Sequence, residues 1–162
     1  MNGSTENTAH GASERPSREE RMVDLATARR MVPLVRHIVA DLLQQGGRLQ
    51  ELKPEQERLE RKRRSLTWPE RKRRYHLQEE VEGVERALQG TTAELESLGV
   101  RLLDPVVGRV GFPTLVNDHR AFFSWRPGED GLHFWHFAGE TVRRQIPPTW
   151  IKAAQTNLTN KP

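Results

Sequence analysis

The chain contains no cysteine. That removes disulfide frameworks, thiolate zinc sites and cysteine nucleophiles together, and it fits a reducing compartment. Long apolar runs are missing too. The opening MNGSTENTAHGASERPSREE has no hydrophobic stretch of the kind a secretory signal needs, and no later segment is long enough to span a bilayer. The expectation is a cytoplasmic protein without membrane contact, with residues 1–20 as a disordered polar tail. Apolar residues make up only 35% of the chain beside 30% charged, which favours an elongated shape with much exposed helix. With 162 residues there is room for one domain of ordinary size. Aromatic residues are few, ten in all, yet six of them stand in residues 122–137, FFSWRPGEDGLHFWHF.

Charge is unevenly spread. The net value is +4, but residues 58–74 hold nine Arg or Lys against two Glu, a local +7, which leaves the rest of the chain at −3. The motif ERKRR occurs twice, at 60–64 and 70–74.

The two copies flank a predicted reversal of the chain. Val35, Ile38, Leu42, Gln45, Leu49, Leu52, Gln56, Leu59, Arg63 and Leu66 follow in steps of four and three, the seam of a helix packing lengthwise on a partner. The phase persists through Gly46, Gly47 and Pro54, so one long helix is expected there, bent or weakened but unbroken. Pro33 is assigned to its first turn. Leu77, Val81, Val84, Leu88, Thr91, Leu95 and Leu98 form a second seam, ended by Gly99. Thr67 with Glu70 three residues on, and Pro69 in the first turn, mark the start of the second helix, so the reversal falls near residues 66–68.

Antiparallel pairing then sets Leu59 against Leu77, Leu52 against Val84, Leu49 against Leu88, Leu42 against Leu95 and Ile38 against Leu98. Gln45 faces Thr91 at the height of Gly46, Gly47 and Gly90, a weak polar layer and a candidate hinge. At the far end Arg63 is expected to face Arg74, and Arg61, Lys62, Arg64, Arg71, Lys72 and Arg73 to surround them. Such a tip suits nucleic-acid phosphates or an acidic protein, with Trp68, Tyr75 and His76 able to stack. The bland alternative is a solvated tip whose arginines pair with nearby glutamates.

After Gly99 the pattern turns to strands. RAFFSWR and GLHFWHF flank PGED and read as a β-hairpin, with Phe123, Trp125, His133, Trp135 and Phe137 on one face and Phe122, Ser124, Leu132, Phe134 and His136 on the other. Both faces are apolar. One must pack on the helices and the other on further strands, a ligand or a second copy, and a homodimer centred on Trp135 is the expected cover.

MVPLVRHIVADL, LGVRLLDP, GFP, then Trp125, Glu129, Trp135, His136 and Arg144 in order resemble a bacterial family, domain of unknown function 2203, over about residues 22–148. This chain has Gly111 where that family usually reads Asp, and Ser124 where it reads Cys. The resemblance carries no established activity. From the residues themselves, Glu129, His136 and Arg144 are the polar groups expected to converge beside the aromatics, as an anion or acid–base site or as a structural ion pair with a core histidine. His133 and His136 are three apart on a strand, point to opposite faces and cannot share a metal ion. No phosphate-cradling glycine loop, nucleophile elbow or paired-carboxylate motif occurs, so no catalytic residue, metal or cofactor is assigned.

The combined expectation is an α+β protein. A long antiparallel, coiled-coil-like helical hairpin occupies residues 21–100 with its basic tip at 58–76, a small antiparallel β-unit fills 101–150, and 151–162 form a tail. Its expected role is non-catalytic interaction through the tip with nucleic acid or an acidic partner. The alternative is a small-molecule binder or enzyme built on the Glu/His/Arg cluster.

Overall fold

A computed structural model describes residues 20–159, with side chains as far as residue 154; the expected tail of residues 1–20 therefore lies outside the described residues, Glu20 excepted. Two long helices dominate. α1 runs over Leu25–Arg61 and α2 over Trp68–Ser97. A five-stranded antiparallel sheet follows in simple sequential order, β1 (Arg101–Asp104), β2 (Arg109–Val116), β3 (His119–Trp125), β4 (Phe134–Phe137) and β5 (Arg144–Gln145). The fold is α+β.

α1 begins where Asp24 accepts a hydrogen bond from the Thr27 N–H at 2.7 Å, an N-cap that satisfies one of the free donors of the first turn. This corrects the placing of Pro33, which lies two turns inside the helix on its exposed side. The proline leaves the Arg29 carbonyl without a helical donor. The helix continues unbroken through Gly46, Gly47 and Pro54 for 37 residues. It ends at Arg61, one turn before the expected reversal, and the α2 start follows the sequence signal: Thr67 and Glu70 form a capping box with Pro69 behind it.

The seam follows the predicted spacing through Leu59, whereas Arg63 lies beyond the helix and is exposed. Leu52, Leu59, Leu66, Leu77 and Val81 form a buried cluster in the outer half of the hairpin, with Leu49 and Val84 against it. Ile38, Leu42 and Leu95 belong to the main core. Between the two, Gln45 donates to the Thr91 hydroxyl at 3.0 Å.

The main core joins the base of the hairpin to one sheet face, through Phe112, Phe123, Trp125 and Trp135. The strand register pairs Phe122 with His136 and Phe123 with Trp135, which gives the expected division of faces within the strands. Leu132 is the exception. It precedes β4, is 1% exposed and packs in the main core; His133 also precedes the strand and holds Asp130 at 2.6 Å.

The C-terminal segment, expected as a tail, is a helix, α3 (Pro148–Thr159). Its Trp150 stands 5.2 Å from Trp135. Trp135 is thus covered within the chain, 8% exposed, and the premise for a second copy seated on that residue falls away. The opposite sheet face is closed over too: Phe122 and His136 are buried, and Leu103 and Phe122 lie so near Gly111 that a Cβ there would sit 2.8 Å from each. The Asp of the related family would not fit without moving them. Among the described residues no helix is long and apolar enough to cross a membrane.

Candidate functional site

The tip is held by its own short core and by glutamates. Leu66 tucks under the turn beside Leu59 and Leu77. Arg73 reaches across the hairpin and donates two bonds to Glu55, at 2.9 and 2.8 Å, a fork on a carboxylate that holds the Glu55 carboxyl below its ordinary value. Glu60 takes Arg74 at 2.8 Å and Arg63 at 3.6 Å. Arg63 lies in the turn past the end of α1, so the expected confrontation of Arg63 with Arg74 becomes a shared acceptor between them.

The remaining cations are placed differently. Arg71 donates to the Leu66 carbonyl at 3.2 Å and so keeps its charge uncompensated. Among the described residues no carboxylate lies within ion-pair distance of Arg61, Lys62, Arg64, Arg71 or Lys72, and all five are exposed. Trp68 and Tyr75 stand among them, 76% and 63% exposed. Arg63 and Arg74 share Glu60 and Arg73 holds Glu55, while the other five are exposed cations with no carboxylate partner among the described residues.

The second candidate, Trp125, Glu129, Trp135, His136 and Arg144, is divided by the fold. Trp125 is 1% exposed in the main core, its indole N–H donating to the Glu129 carbonyl at 3.3 Å. Glu129 meets Arg143, the neighbour of the expected partner, through bonds of 2.6 and 2.9 Å. Burial opposes its charge, but Arg143 and the Arg126 N–H outweigh that and bring the carboxyl below its ordinary value. Arg144 pairs with Glu140 instead and lies over the Trp135 ring at 5.2 Å. His136 sits on the opposite sheet face, its Nδ1 2.8 Å from the Phe137 carbonyl. Glu129, His136 and Arg144 do not converge.

Sequence reasoning missed Arg143, which also donates to the Ser124 carbonyl at 2.9 Å and stacks 4.3 Å from the Phe134 ring centre. It missed a cleft of about 410 Å³ between Arg36, Ala40 and Leu43 of α1 and the loop 127–130, floored by Trp125. At that cleft Glu129 is paired with Arg143 and Asp130 is hydrogen-bonded to the His133 ring. Among the described residues no group of three or more His, Asp or Glu side chains could hold a metal ion.

No curated protein and no solved structure matches the chain. A family profile, described as "Uncharacterized conserved protein (DUF2203)", matches residues 21–146. That stretch takes in the hairpin, the turn with its unpaired cations and all five strands of the sheet, and the chain belongs to the DUF2203 family.

Proposed function

We propose that the tip of the α1–α2 hairpin binds the phosphate backbone of nucleic acid, with the β-unit serving as the folded base from which the hairpin projects. The observation that carries this reading is the crowding of Arg61, Lys62, Arg64, Arg71 and Lys72 around one turn with no carboxylate in ion-pair reach of them among the described residues. Cations held this close raise the energy of the free hairpin, and a polyanion relieves them while releasing its own counterions. An acidic protein surface would meet the same charges. Phosphate is the better match because three of the five are arginines, whose planar forks suit phosphate oxygens. The reading of the β-unit as a small-molecule site has less support, since its three polar groups go to separate places.

The test is salt-dependent binding. Replacing Arg61, Lys62, Arg64 and Lys72 with Gln, which spares the anchored Arg63, Arg73 and Arg74, is expected to weaken RNA or DNA binding at least tenfold at low salt. For every phosphate that is no longer neutralised, the logarithmic salt slope should flatten by about 0.7 to 0.9. Helicity by circular dichroism should stay unchanged. Wild-type protein that binds neither RNA nor DNA at low salt overturns the reading.

A further inference from the structure

Among the described residues Trp68 and Tyr75 have no packing role that would explain their size. Both are mostly exposed, although a large aromatic surface in water forfeits the gain that burial would bring. They are seven residues apart on α2, so they share one face within about 20° and stand about 10 Å apart along the axis. Leu77, in the buried seam, points about 160–180° away from them. Arg71 and Lys72 lie between the two rings on the same exposed side. Tyr75 is braced edge-on by His76 at 6.2 Å.

The surroundings bound this stripe. Past Tyr75 the face turns acidic with Glu79 and Glu82, and the groove alongside the hairpin carries Glu57, Glu60, Glu82 and Glu85 against one cation, Arg74, which Glu60 already holds. A polyanion is repelled from both and confined to the stretch between the turn and Tyr75.

We infer that this outer face of α2 is a stacking platform for unpaired bases, so that the ligand is single-stranded nucleic acid. The inference rests on the phosphate reading above and adds base contacts to it. Two bases lie on the Trp68 and Tyr75 rings, and the phosphates between them meet Arg71 and Lys72. A span of about 10 Å corresponds to roughly three base steps of 3.4 Å, a short unpaired segment such as a loop or a strand end. Every base has a π-face, so such a platform tolerates sequence, whereas a duplex hides those faces inside its own stack.

Anisotropy titrations with one labelled oligonucleotide, unpaired and annealed to its complement, test this at low salt. The unpaired strand should bind more tightly. Trp68→Ala and Tyr75→Ala should each weaken it by about 5- to 100-fold, Trp68→Phe should retain most of the affinity, and duplex binding should not change in any of the three. Both rings are exposed, so the variants should keep wild-type helicity. Equal affinity for the two forms, with Trp68→Ala without effect, overturns the stacking inference and leaves the phosphate reading standing. Binding to neither form, or to polyglutamate alone, overturns both.

Discussion

Arg143 ties three parts of the β-unit together: the loop bearing Glu129, the backbone of β3 at Ser124 and the ring of Phe134. Arg143→Ala would leave the Glu129 carboxylate half-buried without its main donor, and a loss of about 1–3 kcal/mol is expected in denaturant titrations. The pH dependence follows from Glu129. Its folded pKa lies below the ordinary value of 4.5, so its contribution is fully present above that value and is lost as pH falls through the lower folded one. Glu129→Gln should therefore reduce the loss of stability between neutral and acid pH; an unaltered acid limb would show that the pair does not support the fold. Sequence alone chose Arg144 for this role. Arg143 lies just before β5 and Arg144 opens it, and which arginine turns inward depends on the pairing of Trp135 with Arg144, a register that a strand of two residues is too short to reveal. Gly111 is a second local case. Adding a methyl group there drives it into Leu103 and Phe122, so Gly111→Ala should cost about 1–3 kcal/mol, read as a drop in thermal midpoint.

Among the elements, the helices were the most legible, because a seam in steps of three and four over ten positions leaves little freedom in how two helices pair. The hydrogen bond from Gln45 to Thr91 is the sharpest instance, two residues 46 apart matched by periodicity alone. Helix ends were harder to read. Pro33 imitates an N1 proline, and the bonds from the Thr27 N–H and the Ala28 N–H to Asp24 show that α1 starts earlier. At α3 the signal was present in Pro148, ahead of Trp150 and Ile151, but the segment is short and its seam is satisfied by α1 and Trp135 rather than by a repeat of its own. Gly46, Gly47 and Gly90 are all helical, and a Cβ at any of them meets nothing within 4 Å. Replacing the three with Ala is therefore expected to stabilise the protein by up to about 1 kcal/mol each and to raise the thermal midpoint. A fall would mean that the helices do not run straight through this layer.

For the molecule as a whole, the apolar interior comes in two pieces, a main core at the sheet and a smaller cluster far out in the hairpin. The break between them is the Gln45–Thr91 layer, where the side-chain amide oxygen of Gln45 is buried without a partner among the described residues and three glycines lower the helix preference of both arms. From Gly46 to Leu66 is about 30 Å of helix and turn. A bend of about 10° at that layer sweeps the basic turn through about 5 Å, as a lever magnifies a small rotation at its fulcrum. The reach of the tip is then set in the middle of the hairpin, by residues remote from the turn. Because the chain has no cysteine, spin labels can be attached cleanly at Ser65→Cys on the turn and His119→Cys on the sheet. The distance distribution between them should be broad in the native sequence and narrow when Gly46, Gly47 and Gly90 become Ala, and equal widths would place the fulcrum elsewhere.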